Sequence, residues 1–216
     1  IQKLEKALPF FLNSFVLITH NSDENIIKCN TVDNILNYPK LIKWYAQNIG
    51  YEHEKLHFIP IGIANSQWPH GNLDILHSVM SKNNKKIKKI LMNFKICTNA
   101  EKRSDCFNSL IGKIPFLDMV SIEENLLRLS IYEFCICPEG NGFDTHRLWE
   151  CFYLKVVPIV LRNSFTEKIQ KSTNLPMILL DSWDNFTYDL LDYEKFDFEK
   201  CEKFLNMDHY IFEITS

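Results

Sequence analysis

Apolar residues in this chain fall in short runs separated by polar turns, and the runs change period along the sequence. Phe15-Val16-Leu17-Ile18-Thr19 and Leu56-His57-Phe58-Ile59-Pro60-Ile61 are bounded on both sides by polar residues and predict strands. An amphipathic stretch over residues 4–11 predicts a helix ahead of the first strand, and residues 39–47 read as a second helix. A polar, lysine-rich break follows at residues 81–86, with Lys88 and Lys89 just beyond it. After the break the pattern predicts strands at 90–94, 116–120, 134–137, 156–161 and 177–180. Helices are expected over 103–110, 122–129, from Asp144 or Thr145 onward, and over 183–193 and 198–204.

Alternating strands and helices predict an α/β fold. The break divides it into two Rossmann-like halves facing a cleft: residues 1–81, residues 82–205, and a tail over 206–216. The first half is short and the chain opens in what reads as mid-domain, so the N-terminal half is expected to be incomplete. The lysine run reads as a solvated linker rather than a nucleic-acid patch.

The richest segment is Glu133-Phe134-Cys135-Ile136-Cys137-Pro138-Glu139-Gly140-Asn141-Gly142-Phe143-Asp144-Thr145-His146-Arg147-Leu148-Trp149-Glu150. Phe134 to Cys137 has the unbroken apolar character of a strand covered on both faces, and Pro138 ends it. Gly140 and Gly142 allow positive φ and close approach of a ligand, and Asp144 or Thr145 can cap the helix that follows. A strand, a glycine turn and a helix N-terminus make an anion site, because free amides and the helix dipole favour phosphate. Arg147 and Glu150, three apart, share a helix face, and a guanidinium beside a carboxylate suits a nucleotide diphosphate and its ribose. Val156-Val157-Pro158-Ile159-Val160-Leu161 then completes a strand, helix, strand unit with the loop at the carboxyl end of the first strand.

Composition narrows the classes. A 216-residue chain with 46% hydrophobic residues can bury a large core. With 24 basic against 27 acidic residues, nothing announces a polyanion-binding surface, and nucleic acid is not expected as a partner. Seven cysteines without paired Cys-x-x-Cys spacing argue against a disulfide framework or a zinc ribbon and for a reducing compartment such as the cytosol. Cys135 and Cys137, alternating on a strand, are expected to pack. No run approaches the roughly twenty apolar residues of a membrane span, and no signal peptide is visible.

The segment from 134 to 161 resembles the nucleotide-sugar-binding segment of exostosin-type glycosyltransferases, in which a Pro-x-Gly-x-Gly-Phe-Asp turn leads into an Arg-Leu-Trp-Glu helix and a Pro-Ile-Val strand. Weaker echoes lie at residues 17–23, 60–65 and 92–103. Two departures are Glu139, where a basic residue is frequent, and Lys155-Val156-Val157, which replaces a glycine-bearing turn. The resemblance implies the GT-B architecture, with the sugar donor on the second half and the acceptor on the first, and inverting transfer from a nucleotide-diphosphate sugar, UDP-sugar favoured, to a hydroxyl of a glycan. It implies that Glu150 accepts from the ribose hydroxyls and that Arg147 neutralises the diphosphate.

Gly140, Gly142, Phe143, Asp144 and Glu139 complete the expected donor loop, Phe143 either walling the pocket or stapling the helix. Arg103, at a strand-to-helix junction facing the same cleft, is a second phosphate candidate; Asn163 and Ser164 read as ordinary turn chemistry. Transfer needs a base beside the acceptor hydroxyl. His20 and Asp23, past the carboxyl end of the strand over 15–19, are the candidates. Asn65, Trp68, His70 and Gly71 could line the acceptor side. The Asp-x-Asp pattern that carries a cation in the other main glycosyltransferase architecture is missing, so neither metal nor a separate cofactor is expected. Two rivals stand beside this reading: another nucleotide enzyme on a Rossmann-like sheet, weakened because Gly-x-Gly-x-x-Gly spacing is absent, and a catalytically idle sugar- or nucleotide-binding scaffold.

Overall fold

The structure, a computed structural model, describes residues 1–68 and 71–216. It is α/β, with two separate parallel sheets. Helix α1 (Gln2–Ala7) leads into β1 (Phe15–Thr19), α2 (Asn30–Leu36), β2 (Leu41–Ala46) and β3 (Leu56–Phe58), which form a three-stranded sheet in the order β1-β2-β3. Next come α3 (Leu73–Ser81), β4 (Lys88–Leu91), α4 (Ala100–Leu110), α5 (Ile122–Ser130), β5 (Tyr132–Ile136), α6 (His146–Tyr153), β6 (Val157–Leu161), α7 (Ser164–Thr173), β7 (Ile178–Leu180) and α8 (Met207–Thr215). Strands β4 to β7 form a four-stranded sheet in sequence order. Two such parallel sheets are compatible with Rossmann-like halves. Strand order does not reverse within either sheet, so neither sheet has an internal switch point.

Several expectations are corrected. Residues 41–46 form the central strand of the first sheet, not a helix. β2 pairs on both edges and buries Leu41, Trp44, Tyr45 and Ala46, which erases the alternation that would mark a half-exposed strand. The expected strand at 116–120 shrinks to one bridge between Phe116 and Met92. Residues 183–193 wind into short 3-10 turns rather than one helix, and the expected tail contains α8. That helix returns to the first sheet, where the Tyr45 hydroxyl donates to the Glu213 carbonyl at 2.6 Å and Tyr210 packs with Tyr45 and Ile59. Helix α3 precedes the lysine-rich break yet buries Leu76 and Val79 in the core of the second sheet. Among the described residues no helix is long and apolar enough to cross a membrane.

The cores meet at an aromatic seam. Phe58 of β3 stacks on Trp149 of α6 with ring centroids 5.9 Å apart, and packs edge-on against Phe165 of α7 at 5.7 Å. Trp149 and Phe165 are fully buried, so this seam fixes the α6 N-terminus against the loops of the first sheet.

Candidate functional site

The loop after β5 is pinned by residues from the other half. Gly142 takes no left-handed conformation; it is small because a Cβ there would lie 2.6 Å from Asn48 Nδ2 and 2.8 Å from Asn48 Oδ1. Asn48, 1% exposed, accepts from the Asp144 backbone N–H at 2.6 Å and donates to the Ser22 carbonyl at 2.8 Å. The Asp144 carboxylate accepts from the Ile61 N–H and from Trp149 Nε1, each at 2.7 Å. Asp144 is therefore not the helix cap: it lines the adjacent cavity and ties the first half to α6 from a buried position. Burial pushes its carboxyl up to about 7 against the pull of these donors. Thr145 occupies the N-cap but makes no capping bond with its side chain. Gly140 is likewise free of positive φ, and a Cβ there would meet nothing nearer than 3.5 Å. The positive φ expected at both glycines is not needed, because the turn is shaped by contacts across the seam.

Beside this clasp lies a cavity of about 300 Å³, at the carboxyl ends of β4 and β5 and closed by Asp23 and Ile61 from the first half. Arg103, Arg147, Lys95 and His146 supply its basic lining, with Phe94 and Met119 as apolar walls. Arg103 reaches it from the first turn of α4, where Asn99 caps the helix through its side chain and also donates to the Gly140 carbonyl at 2.7 Å. Its Nε donates to the Glu139 carbonyl at 2.8 Å and Nη1 to the Lys95 carbonyl at 2.9 Å. Nη2 makes no hydrogen bond among the described residues, and since no buried side-chain nitrogen or oxygen there lacks a partner, it lies open to solvent. Burial, and then the like charge of Arg147, push the Arg103 guanidinium below its ordinary value. An anion in the cavity would relieve both.

Arg147 lines the cavity, but its hydrogen bonds run into the fold. Nη1 donates to the Asn93 carbonyl and Oδ1 at 3.0 and 2.9 Å, Nη2 to Asn125 Oδ1 at 3.4 Å, and Nε to Glu150 at 3.1 Å. It lends the cavity charge while its hydrogen bonds are spent inside the fold. Glu150 is 7% exposed, stands outside the cavity lining and pairs with Arg147, which it orients. Glu139 is also occupied, by Lys102 on one oxygen and by Asn163 Nδ2 at 2.7 Å on the other. Phe143 stacks on Phe165 at 6.3 Å and stands outside the cavity lining, which makes it a staple.

On the first half, His20 Nε2 lies 2.9 Å from the Pro60 carbonyl and the residue is not in the cavity wall. Asp23 is, and it accepts from Asn141 of the glycine loop at 3.2 Å. Trp68 is 55% exposed, Asn65 donates to Asn21 at 3.4 Å, and His70 lies outside the described residues. Asn163, read as ordinary turn chemistry, instead forms a capping box at the start of α7. Sequence reasoning passed over Lys95, Phe94 and His146 as lining; only the position of Lys95 just past a strand end pointed to it. No family model matches the chain, and no curated protein matches it.

Proposed function

We propose that this chain is a nucleotide-sugar-dependent glycosyltransferase of exostosin type, with GT-B arrangement, moving a sugar from a nucleotide-diphosphate donor to a glycan hydroxyl with inversion. The observation that supports it most is the Arg103 guanidinium, whose Nη2 has no hydrogen-bond partner among the described residues, beside Arg147 in a cavity that both halves close. Two cations at a strand-to-helix junction suit a diphosphate, and the cavity volume falls within the range of small-molecule sites. In the proposed step Asp23 takes the proton of the acceptor hydroxyl, whose oxygen attacks the anomeric carbon. The bond from that carbon to the diphosphate breaks, and Arg103 with Arg147 holds the charge of the departing nucleotide. Asp23 is preferred to His20 because it lines the cavity. Phe94 and Met119 offer apolar surface to the base.

Two observations favour a binding scaffold instead: the glycine loop is clasped by Asn48, and His20, one of the two expected bases, bonds the Pro60 carbonyl and does not line the cavity. Release of nucleoside diphosphate from UDP- and GDP-sugars, with pooled oligosaccharide acceptors, separates the two. Turnover that falls about a hundredfold or more in Asp23→Asn supports transfer. Nucleotide binding without turnover favours the scaffold, and absence of both overturns the donor site.

A further inference from the structure

Behind the cavity three cysteines meet. Cys135 and Cys137 are two apart on and just past β5 and so point to one face, and Cys151 comes from α6. Their sulfurs all lie within 4.8 Å of one another, and Cys137 Sγ is 3.7 Å from Cys151 Sγ. All three residues are buried. Isolated buried cysteines pack as small apolar groups. Three converging on one point, with a guanidinium against them, is a different arrangement: Arg147 Nη1 sits 3.9 Å from Cys135 Sγ.

We propose that Cys135, Cys137 and Cys151 form a three-coordinate thiolate site for Cu(I). Thiolate sulfur at about 2.3 Å from a metal places three such ligands about 4 Å apart, so the existing spacing needs little adjustment. Zn(II) asks for four ligands, and no fourth His, Cys, Asp or Glu among the described residues joins the group, whereas soft thiolates alone suit Cu(I). Any proton a thiol still holds leaves to solvent on binding, and three thiolates with Cu(I) carry a net charge of minus two. Arg147 contacts the cluster but is already paired with Glu150 at 3.1 Å, so it offsets only part of this charge. Lys86, held by the Leu154 and Ser130 carbonyls at 2.7 and 2.8 Å and within electrostatic reach of Cys151, offsets a further part. Cys137 lines the cavity and supplies the way in. A bound ion would join β5 to α6, the two elements that frame the cavity, and so couples metal loading to the shape of the anion site.

The test titrates the reduced chain anaerobically with Cu(I) delivered as a bicinchoninate complex, following transfer by the chelator's colour. One ion per chain is expected, lost in Cys151→Ala and retained in Cys29→Ser/Cys97→Ser, which alters two exposed thiols. Circular dichroism establishes that each variant is folded, and Cys137→Ser replaces Cys151→Ala if the latter is not. No uptake by wild type, full uptake by a folded cluster variant, loss of uptake in Cys29→Ser/Cys97→Ser, or displacement by equimolar Zn(II) overturns the assignment.

Discussion

Replacing Gly142 by alanine puts a methyl group into the most crowded point of the clasp between the halves. The new Cβ would lie 2.6, 2.8 and 2.9 Å from the three terminal atoms of the Asn48 amide, well inside van der Waals contact. Asn48 has little freedom to yield, because both ends of its amide are bonded, to Asp144 N–H and to the Ser22 carbonyl, and its own backbone is already left-handed at φ 54°. Moving the amide gives up both bonds, at about 1 kcal/mol each. Residual overpacking adds about 1 kcal/mol. The expected loss is about 3 kcal/mol, which with a urea slope of about 2 kcal/mol/M lowers the midpoint by about 1.5 M. Gly140→Ala is the control: its nearest neighbour, Thr145 Cγ2 at 3.5 Å, is an ordinary contact, so its midpoint should stay close to wild type. Urea unfolding followed by tryptophan fluorescence reads both. A Gly142→Ala loss below about 0.5 kcal/mol, or equal losses at the two glycines, would refute the clasp.

Other consequences concern charge. Asp144, raised from 3.8 to about 7 in the folded chain, holds a proton there that the unfolded chain has released between those values, so its contribution favours folding most below pH 4 and is lost as pH rises through 7. The shift corresponds to about 4 kcal/mol at most. Stability should therefore drop between pH 5 and 8 by more in wild type than in Asp144→Asn, and parallel profiles would contradict this. Glu150→Ala should cost about 3 kcal/mol in unfolding free energy by stranding the Arg147 charge, with Glu150→Gln costing less. A Glu150→Ala chain of wild-type stability that no longer binds nucleotide would instead return Glu150 to direct ligand contact.

Much of the second half was legible because its elements carry local signals. The strand over Phe134 to Cys137, the helix with Arg147 and Glu150, and the Pro-Ile-Val strand all formed where periodicity put them. β2 was misread because a central strand buried on both faces shows no alternation, and Leu41, Trp44 and Tyr45 satisfy a helical spacing equally well. Helix α7 went unseen although Asn163 and Thr166 form its capping box, since its polar face outweighs the buried Phe165 and Ile169. The roles of Asp144 and Gly142 could not be read locally at all. Their partners, Asn48 and Ile61, are more than eighty residues upstream, and only the packed seam brings them together. Arg103 was legible as a junction residue, but its open Nη2 beside a committed Arg147 was not.

The most direct test of the donor site is a calorimetric titration of wild type, Arg103→Ala and Arg162→Ala with UDP, GDP and inorganic pyrophosphate. Arg162 lies outside the cavity and pairs with Asp181 and Glu167, so it controls for general loss of positive charge. One nucleotide diphosphate should bind wild type and Arg162→Ala alike and bind Arg103→Ala at least tenfold more weakly, the loss of a charge-assisted contact. Binding that is absent from wild type, or unchanged in Arg103→Ala, would contradict the account.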